Sequence, residues 1–154
     1  MDIVCFCIQI KIYDLSTTSS RGVFGVTCLQ DRVFIATHAK EIDVYLKSEA
    51  GYIKLPGISN ARLQSMSDLA ACSRNRRLYV SDFVDYGIWM IEKPELNEAQ
   101  FKRFASVKKA QGLSVTVDGC VIVVTGLPYS LFVFMSDGSQ QKYIDLTARG
   151  IEDP

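Results

Sequence analysis

Asp82 is the side chain of this 154-residue sequence best placed to do chemistry. It follows the apolar run Leu78–Ser81, and a second carboxylate, Asp85, comes three residues later. Together with His38, the single histidine, these carboxylates could ligate a metal ion or move a proton. An aspartate at the end of a strand can instead accept hydrogen bonds from the backbone N–H groups of the next loop. The residues at equivalent positions in similar segments of the sequence distinguish between these roles.

The segment that contains Asp82 is one of three similar segments. Arg77–Ile91 reads as two short strands around a polar loop, and Arg32–Leu46 and Cys120–Met135 have the same form. Three sets of equivalent positions share a period of about 44 residues, which is typical of four-stranded propeller blades. These sets are Val26, Leu69 and Leu113; Val33, Leu78 and Val121; and Ile42, Ile88 and Leu131.

The same alignment places Thr37, Asp82 and Thr125 at one position. All three are short side chains with an oxygen that accepts hydrogen bonds. A loop-capping role explains all three residues, whereas a catalytic or metal-binding role explains only the aspartate. We therefore predict that Asp82 is structural, and that asparagine or threonine would replace it at little cost in stability.

Each unit divides into four strands separated by turn residues, which predicts an all-β fold. We expect a partial β-propeller of about three four-stranded antiparallel blades, plus a leading strand segment. The expected ranges are 1–22 for the leading strand and loop, and 23–66, 67–111 and 112–154 for the blades. A β-sandwich has a similar number of strands, but the steady period favours blades.

Two local patterns refine this expectation. Val121–Val124 is apolar at every position, as a strand covered on both faces by neighbouring blades should be. Asp118-Gly119 and Asp137-Gly138 are the residue pairs typical of type I′ hairpin turns, in which both central residues have positive φ. The sequence thus predicts closely stacked blades with two-residue hairpin turns.

The second unit carries a family resemblance. Its LYVSD segment (Leu78–Asp82), followed by a short loop and GIWMI, resembles the NHL-type repeat of six-bladed, TolB-like β-propellers, in which a small residue and an aspartate end the second strand. It is similar, more weakly, to the YWTD propellers of lipoprotein receptors, since Val80 replaces the tryptophan. The first and third units depart from the motif, with Thr37 and Thr125 in place of the aspartate.

The number of units is small for this fold. Closed propellers contain about 4–8 blades, and only three units are visible besides the leading segment. We therefore expect either further blades outside this sequence or self-association of the chain.

Charge and cysteine content narrow the function. The sequence has 17 basic and 17 acidic residues and is 48% hydrophobic, which is typical of a globular protein without attraction to nucleic acid or an anionic membrane. Five cysteines without a CxxC pair indicate reduced thiols in a cytoplasmic protein. The apolar start, Met1–Leu15, lacks a basic n-region and is interpreted as strand rather than as a signal peptide or membrane span.

Two groups of residues are candidates for partner binding. Arg74, Arg76 and Arg77 form the main basic cluster, and some NHL propellers contact RNA through a basic face. The expected loop faces each have a net charge near zero, however, which argues against nucleic acid. Tyr86 and Tyr129 lie in loops between second and third strands, where exposed aromatic residues often anchor a protein partner.

The sequence contains no Walker A, GxGxxG, HExxH or GxSxG motif, so we predict no catalytic, cofactor-binding or metal-binding residues. The favoured function is a non-enzymatic β-propeller module that presents its loop faces to a protein partner. Two alternatives stay open. The first is an RNA-binding or ubiquitin-ligase-associated NHL module, and the second is a fragment of a metal-dependent hydrolase propeller.

Overall fold

A computed structural model describes residues 22–37, 40–96 and 99–147. Within these ranges the chain forms twelve β-strands in three four-stranded sheets. The strands of each sheet lie in chain order, so every strand pairs with its neighbours in sequence. The expected all-β fold of three four-stranded antiparallel units is confirmed. The strands expected within residues 3–15 lie outside the described residues.

We refer to the three sheets as blades 1, 2 and 3. Blade 1 contains β1 (Val23–Leu29), β2 (Arg32–Thr37), β3 (Glu41–Ser48) and β4 (Gly51–Ser59). Blade 2 contains β5 (Met66–Cys72), β6 (Arg77–Asp82), β7 (Gly87–Glu92) and β8 (Gln100–Ser106). Blade 3 contains β9 (Ala110–Val115), β10 (Val121–Thr125), β11 (Ser130–Phe134) and β12 (Gln140–Asp145). The first strand of each blade is its inner strand, since β5 contacts both β1 and β9.

The strand registers confirm the repeat deduced from the sequence. The inner-strand residues Val26, Leu69 and Leu113 occupy one position, because they pair with Ile35, Val80 and Val123 of the second strands. The other two sets of equivalent positions align in the same way. Corresponding residues of the three blades can therefore be compared directly.

Each inner strand has an irregularity near its start that was not predicted from the sequence. In β1 the register shifts between Val23 and Gly25, and in β5 it shifts between Met66 and Asp68. The pairing of β9 with β10 shifts at the same place. A β-bulge of this kind adds one residue and bends the strand. Residues three apart, such as Val23 and Val26, therefore face the same side.

The two Asp-Gly turns are not of type I′, contrary to the prediction. Gly119 and Gly138 have φ values of 86° and 91°, but Asp118 and Asp137 are not among the positive-φ residues. The N–H of Gly119 donates to the carbonyl of Thr116 at 2.9 Å, and Gly138 makes the same bond in its own turn. This is a type I turn followed by a left-handed glycine. Because three residues connect the strands instead of two, only the last must adopt positive φ.

The blades pack face to face through two apolar clusters. The cluster between blades 1 and 2 includes Phe34, Ile42, Leu69, Val80 and Trp89. The cluster between blades 2 and 3 includes Tyr79, Ile88, Val121, Val123 and Phe134. Full burial of one such side chain stabilises the fold by about 1.5–3 kcal/mol, so these two interfaces are the main source of stability.

Blade 3 departs from the expectation that Val121–Val124 is covered on both faces. In blade 2, Leu78–Asp82 is buried throughout, because blades 1 and 3 lie on either side. In β10, Val121 is buried against blade 2, whereas Ile122 is half-buried and Val124 is exposed. The side of blade 3 that points away from blade 2 is therefore only partly covered.

Three of the five cysteines lie in the part of the chain that the structure describes. Cys28, Cys72 and Cys120 are free thiols, and partial burial raises the pKa of the Cys28 thiol. Cys5 and Cys7 lie outside the described residues. Over the part of the chain that the structure describes, no helix has the length and apolar character needed to cross a membrane.

Candidate functional site

The connections between strands lie at two opposite edges of the blades. The turns after first and third strands form one edge, which we call the turn face; the connections after second and fourth strands form the other, the loop face. The described loop-face segments are 60–65, 83–86, 107–109 and 126–129. Backbone hydrogen bonds join neighbouring segments, from Val107 N to Tyr86 O at 2.9 Å and from Gly126 N to Lys109 O at 3.0 Å.

Asp82 ends β6 and is fully buried beneath the loop face. Its Oδ2 accepts hydrogen bonds from the backbone N–H groups of Gln64 and Ser65, at 2.5 and 3.2 Å. Its Oδ1 accepts hydrogen bonds from those of Val84 and Asp85, both at 3.0 Å. Four main-chain donors thus occupy the four acceptor sites of a carboxylate. Asp82 has the loop-capping role that the repeat predicts.

Thr125 has the same role in blade 3. It is buried, and its Oγ1 accepts a hydrogen bond from Ser130 N at 3.1 Å and donates one to the carbonyl of Pro128 at 3.0 Å. These bonds lie within its own loop, whereas those of Asp82 also reach the connection from the preceding blade. Thr37, at the third equivalent position, is buried as well.

Arg103 of β8 holds the far end of the 83–86 loop. Its Nη1 donates to Oδ2 of Asp85 at 2.5 Å, and its Nη2 donates to the Asp85 carbonyl at 3.2 Å. The guanidinium also lies over the ring of Trp89, 5.4 Å from the centroid, a favourable cation–π geometry. Trp89 itself is buried in the blade core, as its strand position predicts. The loop is therefore fixed at both ends, by Asp82 and by Arg103.

The corresponding loop of blade 3 is also fixed. The ammonium group of Lys109 donates to the carbonyl of Leu127 at 2.7 Å. At the end of the loop, the carbonyl of Tyr129 accepts a hydrogen bond from Leu146 N at 2.9 Å. The loop-face segments of blades 2 and 3 thus form one hydrogen-bonded ridge, which gives their side chains defined positions.

Four large apolar side chains project from this ridge into solvent. We call them the loop-face patch: Phe83, Val84, Tyr86 and Leu127. Of the two predicted tyrosines, Tyr86 belongs to the patch and Tyr129 is half-buried in the same loop as Leu127. The other three members were not predicted. The available signal was a pair of adjacent apolar residues, Phe83 and Val84, in the short loop between Asp82 and Asp85.

The predicted arginine cluster lies at the other edge of the molecule. Arg74 and Arg76 are in the turn between β5 and β6, and Arg77 begins β6, so all three belong to the turn face. Tyr86 and Tyr129 belong to the loop face. The structure therefore does not bring the five predicted partner-binding residues together, and they form two separate surfaces.

Two of the three arginines are paired with carboxylates. Arg76 forms a salt bridge with Glu95. Arg77 pairs with Glu92 at 3.3 Å, and its Nη1 donates to the carbonyl of Ser136 in blade 3 at 3.2 Å. Because these two guanidinium groups pair with carboxylates of the same chain, their positive charge is largely neutralised by Glu95 and Glu92.

Asp68, on the inner strand of blade 2, was not predicted as a functional residue. Its Oδ2 accepts a hydrogen bond from Leu113 N, and its Oδ1 accepts one from Leu69 N, both at 2.8 Å. Partial burial raises the pKa of Asp68, and these two N–H groups oppose that rise. The corresponding residues of blades 1 and 3 are Gly25 and Gly112. The described blades therefore place one carboxylate at this inner position.

Among the described residues, no group of three or more histidine, cysteine, aspartate or glutamate side chains is arranged to hold a metal ion. Asp85 and Asp82 are the two carboxylates that the sequence suggested as metal ligands. Asp85 is bound by Arg103, and Asp82 is bound by main-chain N–H groups. His38 lies outside the described residues.

No family model matches the sequence, and no curated protein matches it. Solved structures do match: a chain in the crystal structure of a nidogen/laminin complex aligns with a TM-score of 0.66 at 13% identity, over 80% of this chain and 48% of that one. This chain has the fold of part of a β-propeller.

A second solved structure gives the same result. Apo AztD from Citrobacter koseri aligns with a TM-score of 0.57 at 12% identity, over 80% of this chain and 34% of that one. At such identities the likeness establishes the fold alone. The chain spans less than half the length of either similar structure, with matched shares of 48% and 34%.

Proposed function

We propose that this chain is a non-enzymatic β-propeller module that binds a protein partner through the loop-face patch. The supporting observation is that Phe83, Val84, Tyr86 and Leu127 are exposed on loops whose backbones are held by hydrogen bonds to the buried Asp82 and to Lys109. Clustered apolar side chains on a surface are a common mark of an interaction site. Aromatic side chains of this kind are frequent anchors of protein interfaces.

The rigidity of the patch supports the same proposal. Because Asp82, Arg103 and Lys109 hold the loop backbones, little chain has to be ordered when a partner binds, and such ordering is one of the main costs of association. Arg62 and Lys108 are exposed on the same face. We therefore propose a partner with an apolar anchor flanked by acidic residues.

We also propose that the module is of NHL-like type and acts in the cytoplasm. The resemblance of Leu78–Asp82 to the NHL repeat supports the first point, and the free thiols of Cys28, Cys72 and Cys120 support the second. An RNA-binding role through the turn face has weaker support, since Arg76 and Arg77 are already paired. A hydrolase role has weaker support too, since glycines replace Asp68 in blades 1 and 3.

Site-specific photo-crosslinking tests the proposed function. A photoreactive phenylalanine analogue is placed at Phe83 of the patch and, as a matched control, at Val117, which is 80% exposed on the turn face. In extracts of the source cells we expect a discrete protein adduct from position 83 and none from position 117. The paired change Tyr86→Ala and Leu127→Ser should abolish that adduct.

Other outcomes would contradict the proposal: no adduct at position 83, adducts of equal yield at both positions, or an adduct that ribonuclease removes. Once mass spectrometry has identified the partner, calorimetry should show that Tyr86→Ala raises the Kd by about tenfold or more, the effect expected of an aromatic anchor. Val117→Ala, the control, should change the Kd by less than about twofold.

A further inference from the structure

The charged side chains around the loop-face patch are mostly positive. The four described loop-face segments contain three basic residues, Arg62, Lys108 and Lys109, and a single acidic residue, Asp85. Asp85 is paired with Arg103, so its negative charge is balanced within the chain. A partner that covers the apolar side chains of the patch therefore meets positive charge beside them, and complementary charge selects among partners.

The three basic side chains differ in how they are held. The ammonium group of Lys109 donates to the carbonyl of Leu127. Lys108 is exposed, and no described group binds its ammonium group. The guanidinium of Arg62 lies over the ring of Trp89, with its central carbon 5.8 Å from the ring centroid, which is a favourable cation–π geometry. Among the three, Arg62 therefore combines an exposed cation with a defined position.

The backbone around Arg62 is fixed as well. The side chain of Asn60 accepts a hydrogen bond from the N–H of Arg62 at 2.9 Å, and the Asn60 carbonyl accepts one from the N–H of Leu63 at 3.0 Å. Leu63 is fully buried in the apolar cluster between blades 1 and 2. Because this turn is in place before a partner binds, Arg62 loses little conformational freedom on association.

The segment that carries Arg62 is joined directly to the loop-face patch. The N–H of Phe83 donates to the carbonyl of Ser65 at 2.8 Å. The carboxylate of Asp82 binds backbone N–H groups of both segments, 60–65 and 83–86. Arg62 and the apolar side chains of the patch thus belong to one rigid surface.

The hydrogen-bonding groups of Arg62 are available to a partner. A guanidinium has five N–H donors in one plane, and no described group accepts a hydrogen bond from those of Arg62. Arg103, the other arginine beside Trp89, already donates to the Asp85 carboxylate, to two carbonyls and to Ser106. One exposed arginine next to the patch therefore retains its donors.

We propose that Arg62 binds the carboxylate of an aspartate or glutamate in the partner, next to the apolar residue that contacts the loop-face patch. This inference rests on the proposed function and names the residue that makes it specific. A guanidinium binds a carboxylate through two parallel hydrogen bonds. Phosphate groups in partner proteins are usually bound by clusters of arginines, and Arg103 is already occupied, so a single carboxylate is the better match.

Selection from a phage-displayed library of random peptides, with the full chain as target, tests this inference. We expect the enriched peptides to carry an aromatic or large aliphatic residue close to an aspartate or glutamate. The same selection against the Arg62→Gln chain should retain the apolar residue and lose the acidic one.

The outcomes of the selection separate the two proposals. Failure to enrich any peptide would contradict the proposed function and, with it, the role of Arg62. Enrichment of apolar residues without acidic ones, or an acidic preference that persists with Arg62→Gln, would contradict the role of Arg62 alone.

A synthetic peptide from the selection measures the contribution of Arg62. Arg62→Gln should raise the Kd by about tenfold or more, the effect of losing a hydrogen bond between charged groups. Arg62→Lys should restore only part of the affinity, because an ammonium group lacks the planar donor pair. Lys108→Gln, the matched control on the same face, should raise the Kd by less than about threefold. Equal effects of Arg62→Gln and Lys108→Gln would indicate a diffuse charge effect and overturn the proposal.

Trp89 provides a local signal, because it is the single tryptophan of the sequence and lies beneath Arg62. The selected peptide should shift its fluorescence emission, and the same peptide with its acidic residue changed to glutamine should shift it less at saturation. Equal shifts would place the acidic residue away from Arg62 and contradict the proposal.

Two controls complete the test. A peptide with phosphoserine at the acidic position should bind no more tightly than the carboxylate peptide, and tighter binding would overturn the choice of a carboxylate. Arg62→Gln should keep the circular dichroism spectrum and urea midpoint of the wild type, because Arg62 is exposed. Its weaker binding then reflects the lost contact and not lost folding.

Discussion

Asp68 of blade 2 accepts a hydrogen bond from the backbone N–H of Leu113 in blade 3, with 2.8 Å between Oδ2 and N. The same carboxylate lies against Gly25 of blade 1, where an added Cβ would be 2.5 Å from Oδ1. One side chain on an inner strand therefore contacts both neighbouring blades. This arrangement makes the inner strands sensitive to changes that a surface strand would tolerate.

The two inner-strand glycines should respond differently to alanine. In Gly25→Ala the new methyl group overlaps backbone and carboxylate atoms of blade 2, so we expect a loss of about 2 kcal/mol or more in the free energy of unfolding. Gly112→Ala meets no such atom and should change it by less than about 1 kcal/mol. Urea denaturation of both variants measures the difference, and equal losses would contradict the close approach of the blades.

The stability contribution of Asp68 should depend on pH. Partial burial raises the pKa of Asp68 above its ordinary value, so the folded state binds a proton there more readily than the unfolded chain does. The associated stability is present at low pH and is lost as the pH rises through the folded-state pKa. Asp68→Asn cannot lose a proton. Its stability relative to the wild type should therefore rise as the pH increases from about 4, the ordinary pKa of an aspartate carboxyl group.

Denaturation midpoints of both proteins across this range test that expectation, because the other carboxylates contribute equally and cancel in the difference. A difference that stays constant with pH would show that Asp68 titrates alike in the folded and unfolded states.

Asp82 should tolerate fewer substitutions than its sequence alignment with threonines suggests. Each carboxylate oxygen of Asp82 accepts hydrogen bonds from two backbone N–H groups. Asp82→Ala leaves four donors without an acceptor, and we expect a loss of about 3 kcal/mol or more. Asp82→Asn would direct an NH₂ group at two of these donors, so its loss should be close to that of alanine. This replaces the expectation from sequence that asparagine would serve.

Thr125→Val provides the matched comparison, since Thr125 receives one backbone N–H and donates to one carbonyl. We expect it to reduce the free energy of unfolding by about 1 kcal/mol. A loss for Asp82→Ala as small as that of Thr125→Val would contradict the fourfold acceptor role.

Arg77 should contribute to stability where its neighbour Arg74 does not. The Arg77 side chain pairs with Glu92 and reaches Ser136 of blade 3, whereas Arg74 is exposed in the turn. Arg77→Met should lower the free energy of unfolding by about 0.5–1 kcal/mol, the usual range for a partly exposed pair. Arg74→Met should have no measurable effect. High salt should reduce the loss for Arg77→Met; a salt-independent loss would mean that packing, not charge, is responsible.

The repeat is the part of the fold that the sequence predicts well. Val26, Leu69 and Leu113 occupy one register position, because positions that face the same interface require side chains of similar character. The bulges escaped prediction, although each leaves a spacing of three between residues that face the preceding blade, as from Met66 to Leu69. A regular strand has a period of two, so a spacing of three identifies a bulge only when the pairing of the strands is known.

The candidate site was predicted less completely, for a physical reason. The role of Asp82 follows from its place at the end of a strand, which is a local property. The pairing of Arg77 with blade 3 and the contact of Asp68 with Leu113 depend on residues distant in sequence. The exposure of Phe83 and Val84 depends on what packs against the loop. A single sequence records none of these distances.

The four hydrogen bonds of Asp82 have a consequence for how the molecule opens. Gln64 and Ser65 belong to the connection between blades 1 and 2, yet their amides are bound by a carboxylate buried in blade 2. That connection cannot fluctuate open unless blade 2 also releases Asp82, so its amides should exchange with solvent as slowly as those of a central strand. Because blades 1 and 2 also share one apolar cluster, we expect them to unfold as one cooperative unit, so that the smallest element able to fold alone would be a pair of blades.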